Sequence, residues 1–229
     1  MSTPTPHALP HSRATHTLTT FTALALVALA IGIHTPARAE RGDVEISATS
    51  EATLFASGST SATTSDRAAW TPQLRVGYAL TDEVTALLGW RSMATLSRGD
   101  SGYALDTDVE MVVATVRWSW PVKAWFRVDA ELDLEAMHAD FELTLDNHRG
   151  STGSWGFGAV PKVAAVFSLD LEGLTLDFRL HAGFALRTDL AADGLHLSSE
   201  AEPEQVRPLD LGATNLSGFV FGLGAAFVF

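Results

Sequence analysis

The 229-residue sequence contains no cysteine. Disulfides, a thiol nucleophile and a lipid anchor attached through cysteine are therefore all excluded, although an exported protein could have used disulfides. Basic residues are also scarce, with 15 Lys and Arg against 27 Asp and Glu and a formal net charge of −12. Because nucleic-acid binding relies on clustered basic residues, this acidic balance argues against a nucleic-acid partner.

Long apolar runs are absent too, apart from residues 21–33. As a helix this run would rise only about 20 Å, short of the ~30 Å hydrocarbon core of a bilayer. A polar segment with Arg13 and no acid precedes it, and Ala37-Arg38-Ala39 follows. The pattern predicts a secretory signal peptide over residues 1–39, cleaved after Ala39, with an anchoring helix as the alternative. Residues 40–229 then form one domain, with a net charge of −14 because cleavage removes Arg13 and Arg38.

What the sequence does have is alternation, and it is clearest over the last fourteen residues, 216–229. Large apolar residues occupy every second position there, and small residues fill most positions between them. A strand with this period faces an apolar environment on one side and a cramped interior on the other. The outward set is Phe219, Phe221, Leu223, Ala225, Phe227 and Phe229.

Seven further stretches alternate in the same way. With the last one, they are 44–55, 70–80, 84–96, 103–120, 124–137, 154–169, 174–187 and 216–229. Short turns are expected at 81–83, 121–123 and 170–173, and long loops at 56–69, 97–102, 138–153 and 188–215. Sorting of short and long connections to opposite ends is typical of outer-membrane barrels and has no reason to occur in a soluble β-sandwich. The sequence therefore predicts an all-β fold, an eight-stranded antiparallel up-and-down transmembrane β-barrel with both termini at the short-turn, periplasmic end.

Charged residues within these stretches lie on the face opposite the apolar set. A soluble barrel would place its charges outside, so this arrangement indicates a lipid-facing exterior and an ionic interior. Seven basic and seven acidic residues make the predicted interior formally neutral, which favours a closed network of ion pairs over an open pore. The predicted interior residues are Arg75, Arg91, Arg117, Arg127, Lys162, Arg179 and Arg187, the acids Glu45, Glu51, Asp129, Glu131, Asp133, Glu135 and Asp177, and His181.

In its architecture and its aromatic last strand, the domain resembles the small eight-stranded outer-membrane barrels of the OmpA, OmpX and OmpW type. The resemblance implies location in the outer membrane and contact with its lipid and lipopolysaccharide. It also implies that the barrel-insertion machinery recognises the C-terminal strand. In this sequence that assembly signal comprises Phe221, Leu223, Ala225, Phe227 and Phe229.

Three groups of residues could carry chemistry. Asp129, Glu131, Asp133 and Glu135 repeat at every second position, so they form either a reactive carboxylate cluster or, as we expect, a set of paired charges. Asp106, Asp108 and Glu110 repeat likewise on the outward face of their strand, where they could hold Ca²⁺ or Mg²⁺ or simply be solvated.

The third group, His196-Leu197-Ser198, resembles the His-x-Ser pair of the outer-membrane lipid A deacylases. It departs from that family because Ser199-Glu200-Ala201 follows where asparagine and glycine are expected, and no orienting third group can be placed. The sequence has no glycine-rich phosphate loop, no HExxH motif and no metal-ligand set, so it predicts no cofactor and no metal.

These observations favour a non-enzymatic barrel that displays acidic loops to a surface ligand the sequence does not identify. A narrow transport conduit for a small or apolar solute is the first alternative. A lipid A-modifying enzyme is the second.

Overall fold

The computed structural model describes residues 40–56, 66–100, 103–145, 148–171, 173–192, 195–199, 207–209 and 211–229. The predicted signal peptide, residues 1–39, lies outside them. Among the described residues no helix is long and apolar enough to span a membrane.

The described residues are almost entirely β-strand. Eight long strands form the barrel and four short ones lie in the connection between the last two. In chain order the strands are β1 Val44–Phe55, β2 Ala68–Ala79, β3 Val84–Asp100, β4 Tyr103–Lys123, β5 Phe126–Leu145, β6 His148–Asp170, β7 Thr175–Arg187, β8 Leu190–Ala191, β9 Leu195–Ser199, β10 Arg207–Leu209, β11 Ala213–Thr214 and β12 Gly218–Val228.

The barrel closes through its first and last strands. Each of β1 to β6 pairs antiparallel with the next strand, β7 pairs with β12, and β1 pairs with β12 in register from Glu45↔Val228 to Phe55↔Gly218. Val44 and Phe229 exchange two backbone hydrogen bonds at the seam, of 3.1 and 3.0 Å. Each of the eight long strands is thus paired on both sides, and the predicted eight-stranded antiparallel barrel is confirmed.

The period-two pattern has the expected structural result along β12. Phe219, Phe221 and Phe227 are exposed on the outer surface, while Val220, Ala226 and Val228 are buried inside. On β3 and β4 apolar residues occur on both faces, and those of the inward face are buried. These residues are Leu87, Met93, Met111 and Val113.

The predicted turn at 121–123 is wrong. Pro121 lies within β4, opposite Arg127, and the chain reverses at Ala124 and Trp125. A register shift between Pro121 and Lys123 marks a bulge, an irregularity at which a strand tolerates a residue without an N–H group.

Two of the predicted long loops are strand for most of their length. The region 97–102 extends β3 and β4 to the pair Asp100↔Tyr103, and the region 138–153 extends β5 and β6 to Leu145↔His148. The two hairpins lie side by side, with Tyr103 of β4 opposite Leu145 of β5, and each leaves only two residues between its strands.

The extended strands exchange their inner and outer polarity partway along. On β5 the outward residues from Phe126 to Ala136 are apolar and the inward ones are charged up to Glu135. Beyond that point the outward side chains are His138, Asp140, Glu142 and Thr144, while the inward ones are Met137, Ala139, Phe141 and Leu143. The far end of the sheet thus has the arrangement of a water-soluble protein, and the near end has the reverse.

The barrel interior as the candidate functional site

All fifteen charged or ionisable residues assigned to the interior by their phase are buried. Their exposed fractions run from 0 % at Glu51, Arg91, Asp129, Asp133 and Asp177 to 8 % at Arg127. Ion-pair contacts connect all of them into one network. The network follows the length of the barrel, from Asp177 near the β6–β7 turn to Arg187 at the opposite end.

The half of the network next to the short turns is centred on Arg117, Asp129 and Glu131. Arg117 donates to Glu131 from Nε at 2.8 Å, and both of its terminal nitrogens donate to the Glu45 carboxylate. Arg179 donates to Asp129 at 2.9 Å and also pairs with Glu131. Around this centre, Arg75 binds Glu131 at 3.2 Å, and Arg127 binds Asp129 and Asp177.

The other half is centred on Arg91 and Lys162. Arg91 donates to Asp133 at 2.8 Å, pairs with Glu135 and lies 3.1 Å from Glu51. Lys162 lies 2.9 Å from Glu51 and 2.7 Å from Asp133. Each of the four carboxylates at positions 129, 131, 133 and 135 therefore has at least two basic partners. They form a set of paired charges and not a cluster of free carboxylates.

His181 joins this half through Glu51. Its Nε2 atom lies 3.0 Å from Glu51 Oε1, which is close enough for an ion pair, but the angles do not suit a hydrogen bond. The Glu51 carboxylate is therefore held mainly by Lys162 and Arg91.

Glycines opposite the long side chains make the network fit inside eight strands. Gly89 faces Arg75, Gly183 faces Lys162, and Gly222 faces His181 in the strand register. A Cβ atom on Gly183 would lie 2.6 Å from Lys162 Cγ, and one on Gly222 would lie 2.7 Å from His181 Nε2. The interior of an eight-stranded barrel is only wide enough for its own side chains, so the lack of a side chain at these glycines leaves room for the large residues opposite. Gly156 and Gly158 leave space in the same way opposite Met137 and Glu135.

An apolar layer covers the ionic network at the long-connection end, and sequence reasoning missed it. Met93, Met111, Met137 and Phe141 are its centre, at 0–3 % exposure. Leu190, Ala192 and Leu216, from the connection between β7 and β12, complete it and are fully buried. The part of this layer that comes from β5 could have been predicted from the sequence, because Met137, Ala139, Phe141 and Leu143 keep the period of two. The part that comes from residues 188–217 could not have been predicted, because that segment has no regular pattern.

The acids Asp106, Asp108 and Glu110 lie outward on β4, as their phase predicts. They stand directly opposite Glu142, Asp140 and His138 of β5. Two of them are bound by β3 hydroxyls: Ser97 Oγ donates to Asp106 at 2.7 Å and Thr95 Oγ1 to Asp108 at 2.5 Å. Within the part of the chain that the structure describes, no three or more acidic, histidine or cysteine side chains are grouped closely enough to hold a metal ion.

The third candidate group lies on β9, whose backbone pairs with β6 and β10. The side chains of His196 and Ser198 lie outside the described residues.

Solved structures with a similar fold are small bacterial barrels. A major outer membrane protein from Thermus thermophilus has a TM-score of 0.52 at 14% sequence identity, and the match covers 81% of this chain and 99% of that one. Ail, the attachment invasion locus protein of Yersinia pestis, has a TM-score of 0.47 at 12% identity, with coverages of 82% and 99%. Neisserial surface protein A has a TM-score of 0.46 at 12% identity, with coverages of 82% and 96%.

No protein-family profile matches the sequence, and no curated protein is similar to it in sequence. The chain thus has the fold of the small outer-membrane β-barrels, shown by structure alone.

Proposed function

We propose that this protein is an integral outer-membrane β-barrel with a structural and surface-interaction role and no catalytic activity. Its barrel spans the lipid, and its extended hairpins present an acidic, structured end to envelope components, to ligands or to other cells. Outer-membrane lipid and lipopolysaccharide are its surroundings in this proposal, and the barrel-insertion machinery is its partner during assembly.

The exchange of polarity along β4 and β5 is the observation that carries this proposal. The apolar outward stretch of β5, from Phe126 to Ala136, is about 33 Å long at ~3.3 Å per residue. A strand tilt of about 40° reduces this to roughly 25 Å, the height of the lipid-facing band of an outer-membrane barrel. The outward residues turn acidic where that band ends, as expected for strands that leave lipid and enter water.

Aromatic side chains at both limits of the band support the same placement. Tyr78, Trp118 and Trp120 are half-exposed near the short turns, and Trp90 and Trp155 are exposed towards the far end. Tryptophan and tyrosine favour the membrane–water interface, because one edge of the ring is apolar and the other forms hydrogen bonds.

The closed interior favours a structural role over steady transport. Matched ion pairs leave no net charge to attract one kind of ion, and the apolar layer lies across the path at one end. Water-filled outer-membrane channels are generally built from about twice as many strands.

Cell fractionation and electrophysiology test the proposal. The protein is expected in the outer-membrane fraction, with a gel mobility that changes on heating as the barrel unfolds, and it is expected to give little or no steady conductance in planar bilayers. Reproducible channels would instead support the transport alternative, and protein that stayed in solution without detergent would contradict membrane insertion.

The enzyme alternative has its own test. The variants His196→Ala and Ser198→Ala are expected to leave the mass of lipid A in expressing cells unchanged from that with the parent protein. A lipid A mass shift that appeared with the parent protein and disappeared with either variant would overturn the non-enzymatic assignment.

A further inference from the structure

The connection between β7 and β12 folds back into the barrel at both of its ends. Residues 188–192 and 211–217, which we call the outer plug, pair with each other through β8 and β11 and through hydrogen bonds between Ala192, Leu211 and Gly212. Leu190, Ala192 and Leu216 of the plug are buried against the methionines of the apolar layer. Leu190 occupies the space that Gly156 leaves beside Met137.

The plug is also fastened to the barrel rim. Thr188 and Phe157 exchange two hydrogen bonds of 2.9 Å, and Ala191 N donates to Ser154 Oγ at 3.1 Å. Asn215 connects one part of the plug to the other and to the end of β7, because its side-chain amide donates to Asp189 and to Arg187 O, each at 2.8 Å.

One side chain joins the plug to the ionic network. Arg187 donates from Nε to Glu135 Oε2 at 2.8 Å and from Nη1 to the backbone oxygen of Leu216 at 2.9 Å. Glu135 in turn pairs with Arg91, at the centre of the half of the ionic network that lies away from the short turns. The backbone of Arg187 is bound as well, since its N–H donates to Ser217 Oγ at 2.9 Å.

We propose that the outer plug is a latched closure of the barrel interior and that Arg187 is its latch. A guanidinium shared between a carboxylate and a plug carbonyl holds the plug down only while both contacts persist. A displacement of the plug breaks the contact to Leu216 and leaves the charge of Arg187 with Glu135 alone. Movement at the surface connection is thereby transmitted to the ionic network, whichever partner the surface binds.

The absence of cysteine provides a direct test, because a single introduced thiol is the only one in the protein. Leu216→Cys places that thiol in the buried part of the plug, and its maleimide labelling rate in detergent-solubilised, folded protein reports how often the plug opens. Adding Arg187→Gln is expected to raise the labelling rate about tenfold or more, because a charge-assisted hydrogen bond to the plug is lost.

Two further variants keep the test decisive. Asn215→Ala, which removes hydrogen bonds to Arg187 O and to Asp189 without removing a charge, is expected to raise the rate even if Arg187→Gln fails to fold. Arg127→Gln is the matched control, because it removes an arginine from the opposite end of the same network and is expected to leave the rate unchanged.

Heat-dependent gel mobility shows that each variant is folded. Labelling of a folded Arg187→Gln protein at the parent rate would overturn the proposal, and if that variant does not fold, labelling of the Asn215→Ala protein at the parent rate would overturn it. Equal acceleration by Arg127→Gln would overturn it too, because the effect would then be general loosening of the barrel.

Discussion

At the scale of single residues, the interior is governed by pairs of unequal size. Several long charged side chains share a cross-strand position with a glycine, as Arg75 does with Gly89 and Lys162 with Gly183. The charges can then reach partners across the barrel, as Lys162 reaches Glu51 of β1. Buried ion pairs add little net stability, but removal of one member leaves an uncompensated charge and costs about 3–5 kcal/mol. These glycines therefore provide the space that Arg75 and Lys162 occupy.

Gly183→Ala tests this pairing. The new Cβ would lie 2.6 Å from Lys162 Cγ and still closer to the backbone oxygen of Pro161, so the strands or the lysine must shift. We expect a loss of about 1–3 kcal/mol in the free energy of unfolding, the usual effect of overpacking an interior. Urea titration of the protein refolded into vesicles measures it.

Gly153→Ala is the matched control for Gly183→Ala. It adds the same methyl group to an outward position of β6, where the nearest atom is the flexible end of His138 at 3.1 Å. A change within about 0.5 kcal/mol is expected there, as for most surface substitutions. Equal effects at the two glycines would contradict the requirement for space inside the barrel.

At the scale of strands, one element changes the polarity of its two faces without interruption. β5 keeps its backbone pairing from Phe126 to Leu145 while the polarity of its two faces is exchanged near Met137. Backbone hydrogen bonds do not depend on which face is apolar, so the strand continues. Only the polarity of the side chains differs between the two parts of β5.

Lysine substitutions at two outward positions of β5 test where the change occurs. Leu134→Lys places a charge within the apolar band and is expected to destabilise the folded barrel by about 2–4 kcal/mol in lipid vesicles. Asp140→Lys lies three outward positions further along the same face and is expected to change stability by no more than about 0.5 kcal/mol. Similar losses at both positions would mean that the band does not end between them.

The sequence predicts those parts of the fold that follow from a period of two. The strand count, the burial of Arg91 and Asp133, and the outward phase of Asp108 all follow from this period, because each side chain on a strand has only two directions. The ends of the strands do not follow from it. The hairpin residues 138–153 were expected to be loop because their polarity contradicts a lipid-facing strand, although pairing persists there.

Other features depend on contacts that no local pattern encodes. Pro121 favours a turn by its own chemistry, but a bulge lets it remain in β4. Leu190 and Leu216 become buried only because the β7–β12 connection folds inward against Met137, a contact between distant parts of the chain. The partners of each ion, such as Glu45 for Arg117, likewise depend on side chains that cross the barrel.

At the scale of the whole molecule, the barrel has an ionic interior within the apolar band and an apolar interior beyond it. The outer surface changes in the opposite sense, from large apolar side chains to the acids of β4 and β5. This double reversal is the result expected for one continuous sheet that stands partly in lipid and partly in water. The proposed function depends on this double reversal.

Quenching of tryptophan fluorescence by lipids brominated along their acyl chains tests this placement most directly. All six tryptophans lie on the outer surface of the described barrel, with exposed fractions of 44–69 %: Trp70, Trp90, Trp118, Trp120, Trp125 and Trp155. If the outward face contacts acyl chains, protein refolded into brominated vesicles is expected to lose a large part of the fluorescence that it shows in unbrominated vesicles. Equal fluorescence in the two kinds of vesicle, from protein shown to be folded, would contradict the account.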